Sequence, residues 1–292
     1  MKTKLIFITI PIIAAACGNG NNKSDAYGNF EATEVLVGAE VQGKILKLNI
    51  EEGQSLLKDQ AIGYIDSLST YLKKQQLIAQ IEASSAKFTQ VQSQIEVQEE
   101  QKKSLLREQD RLNKLVAAQA TPTKQLDDIN SDLDLINKQI ISTRVQNQAI
   151  SGDIKALKFQ VDQAQDQLNK SIIRNPITGT VLEKYIEPGE IAIPGKNLYK
   201  IADLSVMKLR VYVSGAQLPN IKIGQKVSVF IDKTSIENRK LEGIISWISQ
   251  QTEFTPKIIQ TKEERVNMVY AIKVDVQNDG SLKIGMPGEV KF

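Results

Sequence analysis

From Leu126 to Leu168 the inward-type positions recur at intervals of three and four without a break. They run Leu126, Ile129, Leu133, Ile136, Ile140, Thr143, Asn147, Ile150, Ile154, Leu157, Val161, Ala164 and Leu168. On a helix of about 3.6 residues per turn these positions form one narrow seam. A seam held over about six heptads predicts coiled-coil packing, not the broader stripe of a helix lying on a globular core. The preceding stretch repeats the spacing less cleanly, through Leu77, Ile81, Phe88, Val91, Ile95, Leu105, Leu112 and Val116. Between Ser67 and Lys170 the only proline is Pro122 and the only glycine is Gly152. The break "AAQATPTKQ" therefore separates two helices, with Pro122 suited to a helix start and Thr121 expected as its N-cap. Two helices of nearly equal length on a short loop are expected to pack antiparallel. At about 1.5 Å per residue, roughly 45 to 50 residues make a rod of roughly 70 Å.

The pattern changes on both sides of this hairpin to alternation with a period of two. "VQGKILKLNIEEGQSLLKD" begins at Val41 and "ITGTVLEKYIEPGEIAIPG" at Ile177. The two copies align without gaps, Gly43 with Gly179, Ile45 with Val181, Ile50 with Ile186, Gly53 with Gly189, Ile62 with Leu198, and Ile65 with Ile201. Alternating apolar residues predict short strands, and all four glycines are expected at turns where positive φ is cheap. Neither copy alone can bury a core. An antiparallel hairpin returns the chain to its point of departure, so the copies are expected to close one small sandwich together. Beyond it, Leu209, Val211 and Val213 alternate, and further strands are read at 241–248, 269–276 and 288–292. Turn chemistry at Asn278-Asp279-Gly280 and Gly285-Met286-Pro287-Gly288 separates them, and the set predicts a small β-barrel. The expected fold class is mixed α+β and elongated, a split lipoyl-like β-sandwich interrupted by a long antiparallel coiled-coil hairpin and followed by a small barrel.

Composition narrows the function. The chain has 292 residues, 41% hydrophobic and 24% charged, enough for two or three folded domains. A net charge of +3 and 5% aromatic residues give no nucleic-acid surface. There is no histidine, which removes the commonest general base, the commonest zinc ligand and every histidine-activated nucleophile. Paired carboxylates at Asp127-Asp128 and Glu263-Glu264 fall at a helix start and in a charged loop, with no nucleophile or ligand set beside them. Neither an enzyme nor a cofactor is read from the chain.

The N-terminus changes the compartment. "MKTKLIFITIPIIAAAC" has two lysines, an apolar run from Leu5 to Ile13 too short to span a bilayer, and small residues before Cys17, the only cysteine. Ala14, Ala15 and Ala16 before Cys17 resemble the bacterial lipobox, although leucine is usual where Ala14 stands. The resemblance implies cleavage before Cys17 and acylation of its thiol, giving a firm anchor once several acyl chains are present. The alternative is a plain secretory signal. The polar run from Gly18 to Gly28 reads as a tether.

The split lipoyl motif, the hairpin and the following barrel together resemble the periplasmic adaptor or membrane fusion protein family of HlyD-type secretion proteins. That resemblance sets the expected domains: 1–16 signal peptide, 17–28 lipidated tether, 29–66 first lipoyl half, 67–170 hairpin, 171–203 second lipoyl half, and 204–292 barrel. Lys58 and Lys196 lack the neighbours of a biotin- or lipoate-carrying lysine. The stretch 253–274, "EFTPKIIQTKEERVNMVYAIKV", resembles YbhG-like adaptors, which favours an ABC-type exporter as the inner-membrane partner. At the hairpin tip, Arg111, Leu115, Leu126 and Asp127 match the family's channel-contact pattern. Pro122 stands where a serine is usual, and Thr121 or Thr123 would supply the hydroxyl. The family implies docking to a TolC-like outer-membrane channel and a homo-oligomer of six, and with the lipobox resemblance a lipid on Cys17 is expected to hold the protein to the inner membrane on its periplasmic side. Two alternatives are kept, an adaptor of a proton-driven pump and a membrane-tethered coiled-coil scaffold without a transport role.

Overall fold

The computed structural model describes residues 24–232, 237–254 and 268–292. In chain order the elements are β1 (Ala26–Glu31), β2 (Glu34–Gly38), β3 (Gly43–Leu48), β4 (Ser55–Leu56), β5 (Ala61–Ile65), α1 (Leu68–Ala117) and α2 (Thr123–Lys170). They continue with β6 (Ile172–Arg174), β7 (Gly179–Lys184), β8 (Ile191–Ala192), β9 (Asn197–Ala202), β10 (Val206–Ser214), β11 (Lys226–Asp232), β12 (Asn238–Phe254), β13 (Met268–Gln277) and β14 (Pro287–Lys291). The chain divides into two units, residues 34–202 and a second made of the flanking N- and C-terminal parts.

Within residues 34–202 the helices run 50 and 48 residues. Each expected seam position of α2 is buried or half-buried. Contacts Lys74 to Gln165, Gln92 to Asn147, Glu99 to Arg144 and Gln109 to Asn130 show the antiparallel register directly. On α1 the gaps in the apolar pattern are filled by Ser84, Gln98, Lys102 and Gln109, which are half-buried in the same seam. Polar seam residues fix register at a cost in stability. Two acceptors here, Gln98 Oε1 and Asn147 Oδ1, are buried without a partner.

The sandwich is two four-stranded sheets, β2-β9-β7-β4 and β6-β5-β3-β8. The strands of the repeat coincide at one constant offset, β3 with β7, β4 with β8, and β5 with β9. Each copy lends its middle strand to the other: β4 pairs β7 through Ser55–Thr180, and β3 pairs β8 through Lys44–Ile191. The backbone obeys the same exchange, Gly53 N donating to Val181 O and Gly189 N to Ile45 O, both at 2.8 Å. Ile45, Ile50, Leu56, Ile62 and Ile65 share one core with Val181, Ile186, Ala192, Leu198 and Ile201. A pseudo-two-fold sandwich therefore closes only when both copies are present.

The barrel corrects one expected boundary. Its closed order is β1-β10-β13-β12-β11-β14, so residues 26–31 belong to it, not to the tether or the first lipoyl half. The reason is an edge. Without β1, strands β10 and β14 would each present an unpaired ladder. β1 pairs with both, and its Ala26 and Phe30 point into the barrel core beside Leu209, Val211 and Val290.

Candidate functional site

The hairpin tip is built by two backbone devices. α1 ends with Gln119 at φ +58°, Gln119 N donating to Val116 O and Ala120 N to Leu115 O, both at 2.9 Å. This is the Schellman arrangement, with glutamine where glycine is usual. A side chain in the left-handed region costs about 1–2 kcal/mol. Gln119→Gly is therefore expected to stabilise the hairpin by about 1 kcal/mol, read as a raised midpoint in a helical circular dichroism melt. The N-cap of α2 is Pro122 (φ −68°, ψ 144°), not Thr121 as the sequence suggested. Thr121 lies one residue earlier and its hydroxyl donates instead to Gln125 Oε1 at 2.8 Å.

The expected tip residues are drawn toward one end but face different ways. Leu115 and Leu126 are half-buried along the seam. Arg111 is exposed and folded onto its own helix, Nε donating to Glu108 Oε2 at 2.9 Å. That guanidinium holds the Glu108 carboxyl below its usual range. Pro122, Thr123 and Asp127 are exposed. The tip thus carries a half-buried apolar seam end, with Arg111, Pro122, Thr123 and Asp127 exposed on the flanking helix surfaces and loop.

At the hairpin root, the four glycines divide into two kinds. Gly53 and Gly189 sit in turns with φ of +82° and +99°. Gly43 and Gly179 instead open strands. At Gly43 a Cβ would stand 2.6 Å from the Asp66 carbonyl oxygen, so close packing, not turn conformation, calls for glycine. The residue that sequence reasoning missed is Asn175, fully buried where the chain returns from α2. Its Nδ2 donates to Leu57 O at 2.9 Å and to Ile177 O, and its Oδ1 accepts the Tyr199 hydroxyl at 2.9 Å. Its backbone also joins Asp59 and Gln60. Burial pushes the Tyr199 phenol up, so it stays a proton donor. One side chain thereby ties the end of the first repeat to the start and last strand of the second.

Cys17, with the expected signal and most of the tether, and Glu263 and Glu264 lie outside the described residues. Among those described, no helix is long and apolar enough to cross a membrane, and no group of three His, Cys, Asp or Glu side chains is placed to hold a metal ion.

The family model described as "RND MFP, barrel-sandwich hybrid domain" matches residues 33–204, the sandwich and hairpin just described. A UPF0194 membrane protein of Yersinia enterocolitica is 26% identical over 327 aligned positions, covering 100% of this chain and 99% of the relative. Among solved structures, MacA from Actinobacillus actinomycetemcomitans shares the fold with a TM-score of 0.59 at 24% identity, covering 91% of this chain and 76% of that one. A MacA-MexA chimera carrying the Pseudomonas aeruginosa MexA α-hairpin gives 0.54 at 25%, covering 91% and 78%. With more than half of its length matched, through the very elements that form the split sandwich and hairpin, this chain belongs to the RND-type membrane fusion proteins, periplasmic adaptors that act by binding and not by catalysis.

Proposed function

We propose that this adaptor serves an ABC-type exporter, linking its inner-membrane subunits to a TolC-like outer-membrane channel through the hairpin tip. The observation that carries the reading is the hairpin itself. The arms pair about 50 helical residues each with one another, and the hairpin ends in the apolar seam positions Leu115 and Leu126 with Arg111, Thr121, Pro122, Thr123 and Asp127 about them. In the same reading a lipid on Cys17 fixes the protein to the inner membrane, six copies form a ring around the transport path, and Gly43, Gly53, Gly179 and Gly189 shape the lipoyl body. The ABC assignment draws on the sequence of residues 253–274, of which 255–267 lie outside the described residues.

Crosslinking the full-length protein in its native envelope, followed by mild extraction and mass spectrometry, tests the partner set. An ABC permease and ATPase recovered with an outer-membrane channel is the expected result. The family description names RND pumps, which favours the second reading, a proton-driven partner; recovery of such a pump would replace the ABC assignment. Recovery of neither transporter nor channel would leave a membrane-tethered scaffold. At the tip, Arg111→Asp or Leu115→Asp is expected to lower the channel crosslink at least tenfold while the transporter crosslink persists. Retention of both crosslinks would reduce those residues to ordinary coiled-coil positions.

A further inference from the structure

The register of the barrel lays two rows of side chains on its outer face. Phe230, Glu289, Tyr27 and Tyr212 stand side by side on β11, β14, β1 and β10. Pro287, Asn29 and Arg210 form the next row, with Asp232 two residues beyond Phe230. These residues line a groove of about 510 Å³, within the roughly 300–1,000 Å³ usual for a small-molecule site. Tyr27 is 53% exposed, a large ring turned to solvent.

The charge of this groove is lopsided. Among the described residues Arg210 is its only cationic lining residue, and both Glu253 oxygens accept from its Nη2 at 2.7 Å, with Glu31 at 3.8 Å and the Tyr212 ring at 5.9 Å. Its charge is thereby answered from within the barrel. Among the described residues the Glu289 side chain accepts from the Ser24 hydroxyl alone, at 2.6 Å, and neither Glu289 nor Asp232 is paired with a cation. A carboxylate flanked by the Phe230 and Tyr27 rings suits a ligand that is both flat and positively charged, because ring faces and carboxylate attract the same charge. A peptide could not join by strand addition across this groove, since β11, β14, β1 and β10 already pair with one another there.

We propose that the groove binds an amphipathic organic cation, its ring system against Tyr27 and Phe230 and its charge against Glu289. This goes beyond the adaptor reading and does not depend on which transporter is the partner. The test titrates the purified full-length protein into rhodamine 6G and, separately, into fluorescein, a related fused-ring dye of opposite charge, following fluorescence polarisation. Rhodamine 6G is expected to bind saturably and at least tenfold more tightly than fluorescein. Glu289→Gln keeps the shape and can still accept from Ser24, and it should weaken rhodamine 6G at least fivefold. Tyr27→Ala, at an exposed ring, should do the same, while Lys222→Gln outside the groove should change nothing. Unchanged circular dichroism melts confirm that each variant folds. Equal binding of the two dyes, indifference to Glu289→Gln and Tyr27→Ala, or no saturable binding of rhodamine 6G would overturn the proposal. Saturable binding of a lysine- and arginine-rich peptide in place of the dye would do so too, assigning the groove to a protein partner.

Discussion

Asn175→Ala is expected to lower the stability of the sandwich and hairpin by about 3 kcal/mol, since each buried group stranded without a partner costs about 1–3 kcal/mol. The substitution strands the Tyr199 hydroxyl and releases the Leu57 and Ile177 carbonyls at the junction of the two repeat copies. Tyr199→Phe removes only the hydroxyl and leaves Asn175 Oδ1 unmet, so a loss nearer 1–2 kcal/mol is expected. The two units offer separate signals. Both long helices belong to residues 34–202, and the only tryptophan, Trp247, lies on β12 of the barrel. Urea unfolding of Asn175→Ala should therefore move the helical circular dichroism transition to lower urea and leave the Trp247 fluorescence transition nearly in place. An unshifted helical transition would show that the Asn175 network contributes little.

Gly28→Val should do the reverse, and more severely. A Cβ at Gly28 would be driven into the Arg210 carbonyl oxygen on the paired strand β10, and a backbone atom cannot rotate away as a side chain can. Strand separation is the only relief, so we expect a loss of more than about 3 kcal/mol, at or beyond the upper end for overpacking. Trp247 fluorescence should report a barrel already open at low urea. Gly53→Ala is the informative contrast. No atom lies within 4 Å of its would-be Cβ, and the cost is confined to the φ of +82°, about 1–2 kcal/mol. Similar losses at Gly28 and Gly53 would contradict the steric account.

What the sequence disclosed follows from which interactions are local. The seam of α2 was legible to the residue because each position is set by the one three or four before it. The seam of α1 was legible only where it is apolar. Ser84, Gln98, Lys102 and Gln109 occupy it through helix geometry, and nothing in their chemistry announces it. The repeat was visible because its copies share spacing, and the reciprocal pairing of β3 with β8 and β4 with β7 gives that spacing its physical meaning. Residues 26–31 read as the end of a polar tether and the start of the lipoyl half because only Ala26 and Phe30 enter the core, and their partners lie on strands far along the chain. Asn175 reads locally as the residue before a proline, a turn signal. Its burial depends on Tyr199, 24 positions on. At the tip, the seam places Leu126 and the family pattern places Leu115, whereas the positive φ of Gln119 has no local sign because glutamine carries no turn signature.

The strand that closes the barrel also sets a schedule for its making. Ala26 pairs with Val290 and Tyr27 with Glu289, so β1 waits for a strand about 260 residues further along the chain. Residues 34–202 contain both repeat copies and the hairpin, and their internal contacts do not require the strands that follow. Pairings so distant along the chain are the slow ones to form, because loop-closure entropy must be met before any contact rewards it. Barrel closure is thus expected to follow the sandwich and hairpin, and it depends on β14. A chain stopped short of residue 287 can carry a finished sandwich and hairpin, yet it leaves β1 and β11 with open edges that cellular proteases and chaperones can recognise.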